Sequence, residues 1–318
     1  MSNDFSKNAL DDLEKREFNE VNTVNQPKQV SLGKASGYEE GSDQLNFAPG
    51  YIEIYKENFP SKGIFYGRDS RFLIRAASVM EIKQFSTMNE EDPYSIDEAL
   101  NQILKSCLTY REGNSIRSFK DLKEEDRIYV ILAIRELTFV KGENKLNLTS
   151  VCKDCGHENH IEITKDSFEA NEPNEKLIKY YNEETRRFEV QTKSNGTVYI
   201  EAPSIGIMME VTKYMQKMQM EGKKIDKAFI KTLPYMVNDW RGLNEKAISN
   251  LQMDFMSWDA KQFQIMNVLI EMCTVGVKET ITTICENPKC QVEVATPITF
   301  PNGIKSLFVI SNIDSELL

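Results

Sequence analysis

Apolar residues recur at helical spacing in two stretches of the first half of the chain. In residues 92–108 an apolar face predicts an amphipathic helix that packs Cys107 into the core. The residues on this face are Leu100, Ile103, Leu104, Cys107 and Leu108. Residues 121–137 are apolar around much of the helical circumference, and we therefore expect a second helix that is well buried.

Alternation of apolar and polar residues predicts short strands in residues 51–67 and again in 71–78. Pro60 and Gly63 indicate a turn inside the first of these segments, because proline fixes φ and glycine accepts a positive φ. Further along, residues 187–204 contain two alternating runs around Asn195-Gly196, which is a strong signal for a tight hairpin turn. A polar helix is expected just before this hairpin, at 175–183.

Helix starts and ends are marked by a few specific residues. Ser78, with Glu81 three residues later, predicts a capping box at the start of a helix that extends through Phe85. From 203 to 274 the pattern is helical, and Pro234 ends or kinks one of the helices. A stripe on the first of them, expected to be core, consists of Met208, Val211, Met215 and Met218. Methionine also suits adaptable binding faces, which leaves a docking role open for this stripe.

The charge and length of the chain exclude some classes of function. The 318 residues carry a formal net charge of −10, which disfavours nucleic acid as the main partner. Its apolar runs are all shorter than the 18 residues or so that a membrane-spanning helix requires. The first twenty residues lack the pattern of a secretory signal, so we expect a reducing cytoplasm, where paired cysteines bind metal or do redox chemistry more often than they form disulfides.

Four of the six cysteines form two separated pairs. Cys152 and Cys155 define a first knuckle with C-x2-C spacing, and Cys285 and Cys290 define a longer second knuckle. Zinc binds four thiolates in a tetrahedron, and each pair lies between strand-like segments, as in known zinc knuckles. We therefore predict that Cys152, Cys155, Cys285 and Cys290 bind one structural zinc ion. Closing the long intervening loop costs little more than closing a short one.

Other interpretations of the cysteines stay open at this point. His157 and His160 can complete a local site with the first pair, which leaves the second pair without metal. A redox-active C-x-x-C requires a helix N-terminus, whereas an alternating segment follows Cys155. An ancestral site that has lost its metal is a third alternative. Cys273 lies on an apolar helical face and is expected in the core.

The surroundings of the two knuckles suggest a weak internal duplication. In each case an apolar helix is followed by a glycine, a short strand, the cysteines and an alternating strand. Glu136 matches Glu271 and Gly142 matches Gly276 when a two-residue gap is allowed. Convergent use of a strand–knuckle–strand unit is the alternative explanation.

The sequence does not resemble an enzyme. A phosphate-binding loop, a dinucleotide fingerprint and a nucleophile elbow are absent from it, and its two histidines both lie beside the first knuckle. Four thiolates leave zinc with no open position for an activated water. The expected role is therefore structural. A zinc-dependent hydrolase and a zinc-ribbon nucleic-acid-binding protein are kept as alternatives.

These patterns predict an α+β fold, mainly helical with short antiparallel hairpins and a zinc-knuckle element. The chain divides into a flexible N-terminal arm at 1–50, an α+β region with the first knuckle at 51–165, a linker and hairpin at 166–202, and a helical region with the second knuckle and a C-terminal strand at 203–318.

Four motifs in order, FPSKGIFYG, DEALNQILKSCL, DRIYVILAIRELTFVKG and CKDCG, resemble the baseplate hub proteins of contractile-tailed, T-even-like bacteriophages. The resemblance covers residues 51–165. It implies a baseplate component of the virion or a hub-assembly factor in the host cytoplasm, with other phage baseplate or tail proteins as partners. It implies no small-molecule substrate and transfers no catalytic residue.

Overall fold

A computed structural model of the protein describes residues 50–139, 146–163, 170–192, 196–278, 280–297 and 304–308. The predicted α+β class is confirmed. The helices are α1 (Val79–Ser86), α2 (Pro93–Cys107), α3 (Arg127–Thr138), α4 (Glu175–Ile178), α5 (Ile205–Met220), α6 (Lys227–Thr232), α7 (Glu245–Met256) and α8 (Ala260–Cys273). The predicted arm lies outside the described residues, except for Gly50.

Thirteen strands are described, and all their pairings are antiparallel. They are β1 (Ile52–Ile54), β2 (Ser70–Ile74), β3 (Leu108–Glu112), β4 (Ser115–Arg117), β5 (Leu146–Val151), β6 (Glu158–Ile163), β7 (Ala170–Asn171), β8 (Tyr181–Asn182), β9 (Arg187–Thr192), β10 (Gly196–Ile200), β11 (Gly276–Val277), β12 (Thr280–Ile284) and β13 (Glu293–Pro297).

The largest apolar core lies between the β1-β2-β3-β4 sheet and helices α1, α2 and α3. Phe72 of β2 stacks on Tyr110 of β3 with ring centroids 4.5 Å apart. Cys107 is fully buried in this core, as its place on the apolar face of α2 predicts. Gly63 has a φ of +72°, which confirms the turn predicted after Pro60.

The start of α1 matches its prediction, whereas the start of α3 does not. Ser78 accepts a hydrogen bond from the backbone N–H of Glu81, and the Glu81 carboxylate accepts one from the backbone N–H of Ser78, so the capping box is confirmed. Helix α3 begins only at Arg127, six residues later than the pattern of 121–137 suggests. Two 3-10 turns, Phe119–Asp121 and Glu124–Asp126, occupy the segment before it.

A second core joins the β9–β10 hairpin to α8. The predicted hairpin is present, but Gly196 pairs with Thr192 in the register of the two strands. Gly196 is therefore a strand residue and not the second residue of a two-residue turn, while Asn195 lies outside the described residues. The polar helix expected at 175–183 is a single turn, α4, because the chain enters strand β8 at Tyr181.

Helices α5, α6 and α7 enclose a third, smaller core. As predicted, the helix stops before Pro234: α6 ends at Thr232, and Pro234 is the second residue of a 3-10 turn, Leu233–Met236. On the stripe of α5, Val211 is buried and Met215 packs against this core, whereas Met208 and Met218 are half-buried. In the part of the chain that is described, every helix is too short or too polar to cross a membrane.

Candidate metal centre

Two β-hairpins carry the cysteine pairs at their tips. The first knuckle joins β5 to β6, and the second joins β12 to β13. Leu148, Ile161 and Ile281 on the inner faces of the hairpins belong to the main core. Closer to the tips, Cys152 and Cys285 pack with Val294 in a small separate cluster. The main core thus fixes the bases of both hairpins, and the tips meet beyond it.

The two knuckles share the same local backbone geometry. The backbone N–H of Cys152 donates to the carbonyl of His157 at 2.8 Å, and that of Cys285 donates to the carbonyl of Val292 at 2.9 Å. The residue directly after the second cysteine has a positive φ in both cases, +70° at Gly156 and +50° at Gln291. Both turns therefore end in the left-handed conformation, with glycine in only one of them.

The two tips bring all four sulfur atoms together. Every pair of these Sγ atoms lies within 4.8 Å, although the two knuckles are distant in sequence. Across the knuckles, the Sγ atoms of Cys152 and Cys290 are 3.9 Å apart, and those of Cys155 and Cys285 are 3.7 Å apart. Zinc–sulfur bonds of about 2.3 Å in a tetrahedron place sulfurs about 3.8 Å apart. The four cysteines therefore have the donor chemistry and the spacing to bind a metal such as zinc.

Backbone N–H groups point at three of the sulfurs. The N–H of His157 is the main cause that lowers the pKa of the Cys155 thiol to about 7. Corresponding N–H groups two residues further on, from Asn287 and Val292, face Cys285 and Cys290, although burial and the neighbouring thiols raise the pKa of both. Such donors favour the thiolate form, which is the form that binds metal. Cys152 and Cys285 are buried, whereas Cys155 is exposed.

Polar side chains connect the knuckles directly, and no pattern in the sequence marks them. The buried Asn159 of β6 accepts a hydrogen bond through Oδ1 from the backbone N–H of Glu286, at 2.8 Å. The backbone N–H of His160 in turn donates to the Glu286 carboxylate. Below them, the hydroxyls of Ser150 and Thr296 are 2.8 Å apart and hydrogen-bonded. These contacts hold the tips in register next to the sulfurs.

The remaining candidate residues lie away from the sulfur cluster. The imidazoles of His157 and His160 are not members of it, and both residues are exposed. Cys273 is buried in the second core, as predicted. Cys107 is buried in the main core, and burial raises the pKa of its thiol to about 12.

The structure extends the sequence evidence for duplication. Helices α3 and α8, which carry Glu136 and Glu271, precede the two hairpins in the same order. The strands that enter the knuckles read LTSVC and ITTIC, and their apolar residues Leu148 and Ile281 are both buried. Val151 and Ile284, just before the first cysteines, each pair with a glutamate across the hairpin. Gly142 lies outside the described residues.

Comparison with known proteins places the chain in a family. Residues 64–309 match the family model of the T4 bacteriophage base plate protein. Neither the curated proteins nor the solved structures contain a match to the chain. The family match includes both knuckles and helices α1 to α8, and it spans well over half of the 318 residues. The chain therefore belongs to the T4 bacteriophage base plate protein family.

Proposed function

We propose that this chain is a non-enzymatic structural component of a phage tail baseplate, acting in the hub or in hub assembly, and that it binds other baseplate proteins. The family match over residues 64–309 is the observation that carries this proposal. The motifs of the first half support the hub as the location within the baseplate. Exposed methionines at Met220, Met253 and Met256 provide apolar surface of the adaptable kind that suits protein docking.

Within this role, Cys152, Cys155, Cys285 and Cys290 would hold one structural zinc ion. Four thiolates saturate the coordination of zinc, so the ion would supply a crosslink and no site for an activated water. It would connect a hairpin that follows α3 to a hairpin that follows α8. Structural zinc contributes roughly 10–16 kcal/mol of apparent binding free energy in small peptides, which is ample for such a crosslink.

The baseplate proposal is tested in infected cells and in purified virions. We expect the protein during assembly in the host cytoplasm, where affinity purification should recover it with other hub or tail proteins. Mass spectrometry of virions then separates two roles, since a hub subunit stays in the tail and an assembly factor is found only with intermediates. A protein that is absent from tails and purifies alone as a monomer would contradict the proposal.

Cobalt substitution tests the structural zinc against the alternatives of a zinc hydrolase and a zinc-ribbon nucleic-acid-binding protein. A four-sulfur absorption spectrum is expected, whereas oxygen ligation would indicate an open, catalytic coordination position. Retention on DNA or RNA at moderate salt would favour the nucleic-acid-binding alternative, against the acidic charge of the chain.

A further inference from the structure

A charged cleft lies where the main sheet meets the β8–β9 turn and the 3-10 turn at 240–242. Its volume is about 310 Å³. Tyr66 and Tyr110 contribute to its lining, and five basic and four acidic side chains surround them. The cleft therefore carries an excess of one positive charge in a chain whose formal net charge is −10. We call this site the charged cleft.

One carboxylate in the cleft is shared by two guanidinium groups. Glu112 lies 2.6 Å from Arg117 and 2.7 Å from Arg186, and both arginine side chains are about two-fifths exposed, at 40% and 39%. Glu112 is the one carboxylate within ion-pair distance of either arginine among the described residues. It lies against Gly67, where an added Cβ would be 2.5 Å from its Oε1 atom, so Gly67 leaves the space that this arrangement requires.

Arg186 is held toward the cleft by a tight turn. Its φ is +57°, an uncommon conformation for a residue other than glycine. The carbonyl of Asn182 accepts the backbone N–H of Arg186 at 2.7 Å, and the Asn182 side chain accepts the N–H groups of Glu184 and Thr185. The turn thus fixes a guanidinium at the cleft with backbone strain at that position.

Arg187 lacks a direct ion pair among the described residues, although it interacts electrostatically with Glu201 from a longer distance. Lys123 pairs with Glu201 at 3.7 Å, but Arg187 has no carboxylate within ion-pair distance in the described part of the chain. Its guanidinium lies over the ring of Tyr199, and its buried Nε has no hydrogen-bond partner among the described groups. On the opposite side, Arg241 pairs with Asp121 and Asp239 beside Trp240.

We propose that the charged cleft binds a carboxylate side chain from an acidic segment of a partner protein. Guanidinium groups bind planar carboxylates with paired hydrogen bonds. Arg117, Arg186 and Arg187 line a solvent-open volume, and among the described residues their one direct ion-pair partner is Glu112, which the first two share. This inference rests on the proposed function for the partner being a protein. It adds the position of the contact and the chemistry that recognises the partner.

The test uses the side-chain indole signals in NMR spectra of the full chain, which contains two tryptophans. Trp240 Nε1 donates to Asp121 inside the cleft, whereas Trp258 packs against the second core and serves as an internal control. The probe is a capped Gly-Glu-Asp-Glu-Gly peptide, and its matched control is Gly-Gln-Asn-Gln-Gly. We expect a saturable shift of the Trp240 signal with the acidic peptide alone, while the Trp258 signal stays unchanged.

Two variants and one matched control complete the experiment. Arg117→Gln and Arg187→Gln should each weaken the affinity for the acidic peptide by roughly tenfold or more, because each removes a charged hydrogen-bond donor. Arg68→Gln removes an exposed ion pair outside the cleft and should leave the affinity unchanged. If either cleft variant fails to fold, the comparison of the two peptides on the wild-type protein still decides the result.

Three results would overturn the inference: no saturable shift with the acidic peptide, an equal shift with the amide peptide, or tighter saturation by inorganic phosphate than by the peptide. The last result would make the cleft a site for free oxyanions. If the protein is found in virion baseplates but its cleft binds no acidic peptide, this inference is wrong and the proposed function is unaffected. Peptide binding by a chain absent from tails and assembly intermediates would contradict only the proposed function.

Discussion

Ser61 donates both its backbone N–H and its hydroxyl to the carboxylate of Asp126, at 3.0 and 2.7 Å, across 65 residues of chain. The hydroxyl of Tyr66 donates to the same carboxylate at 2.7 Å. Asp126 and Ser61 are fully buried. Two of the motifs that carry the resemblance to hub proteins, FPSKGIFYG and DRIYV, are therefore in direct contact, and Asp126 fixes the turn against the start of α3.

Ser61→Ala should lower the free energy of unfolding by about 1–3 kcal/mol, because it removes a hydrogen bond to a buried carboxylate. Urea denaturation measures the difference. The matched control is Ser249→Ala, at an exposed position in α7, which should change the stability by less than about 0.5 kcal/mol. Equal effects of the two substitutions would show that the Asp126 contact contributes nothing measurable.

Cys152→Ser and Cys285→Ser should each release most of the bound zinc, because one ion is expected to use both knuckles. Elemental analysis of the purified proteins gives the metal content, with close to one zinc per wild-type chain expected. Lys153→Ala changes an exposed residue within the first knuckle and should retain the metal. Zinc retention by the Cys285 variant would instead indicate a local site on the first knuckle, as the alternative with His157 and His160 requires.

Thr283→Val should leave the stability unchanged or raise it by up to about 1 kcal/mol. The Thr283 hydroxyl oxygen is buried and has no hydrogen-bond partner among the described residues. Thr283 corresponds to Ser150 in the other hairpin, but the residue that corresponds to the partner Thr296 is Ile161, which has no hydrogen-bonding side chain. Replacing an unsatisfied hydroxyl with a methyl group of similar shape removes a desolvation penalty.

Thr296→Val provides the opposite case in the same hairpin. It should destabilise the protein by about 1 kcal/mol, because it removes the hydrogen bond to Ser150. Thermal denaturation of the two variants side by side makes the comparison. Stability changes of opposite sign, or a loss of stability in the Thr296 variant alone, would support the correspondence between the hairpins. Equal losses of stability in the two variants would contradict it.

The contribution of Glu125 to the stability of the protein should fall as pH rises from about 5 to about 8. Burial raises the pKa of Glu125 from 4.5 to about 8, and one of its oxygens has no hydrogen-bond partner among the described groups. A carboxyl group with a raised pKa in the folded state binds its proton more tightly there, so the stability it confers is complete at low pH and is lost as pH rises through this range.

Glu125→Gln should remove that part of the pH dependence, which we expect to be on the order of a few kcal/mol. Urea denaturation at pH 5.5 and pH 8.5 is the measurement. Glu57→Gln, an exposed glutamate, is the matched control and should keep the slope of the wild type. An unchanged slope in the Glu125 variant would assign the pH dependence to other groups.

Local patterns predicted local structure well. The capping box at Ser78 and the burial of Cys107 depend on residues within a few positions of one another, and both are confirmed. The predicted start of α3 was wrong because Asp126 forms hydrogen bonds with residues far upstream in the chain. The periodicity of apolar residues does not reveal such a contact. Asn159 was missed for the same reason, since its partner Glu286 is 127 residues away.

The pairing of the knuckles was predictable because thiolates restrict the possible partners so strongly. The charged cleft was not, because its arginines come from separate segments and each looks like ordinary surface charge in the sequence. Gly67 carried the one usable signal, a glycine directly after two aromatic residues. The need for a glycine at this position is explained only by the contact with Glu112, and the two residues are close only in the folded chain.

The 129 residues between Cys155 and Cys285 have a consequence for the timing of biosynthesis. At common translation rates a ribosome needs on the order of 10 s to synthesise these residues. The thiols of Cys152 and Cys155 are therefore made about that long before those of Cys285 and Cys290. During this interval the first hairpin would hold only two of the four proposed ligands, and its thiols would be open to oxidation or to binding of other metals. If the four cysteines bind zinc as proposed, the order of synthesis would make metal loading a late step, and a limited zinc supply should reduce the yield of folded chains more than it slows their translation.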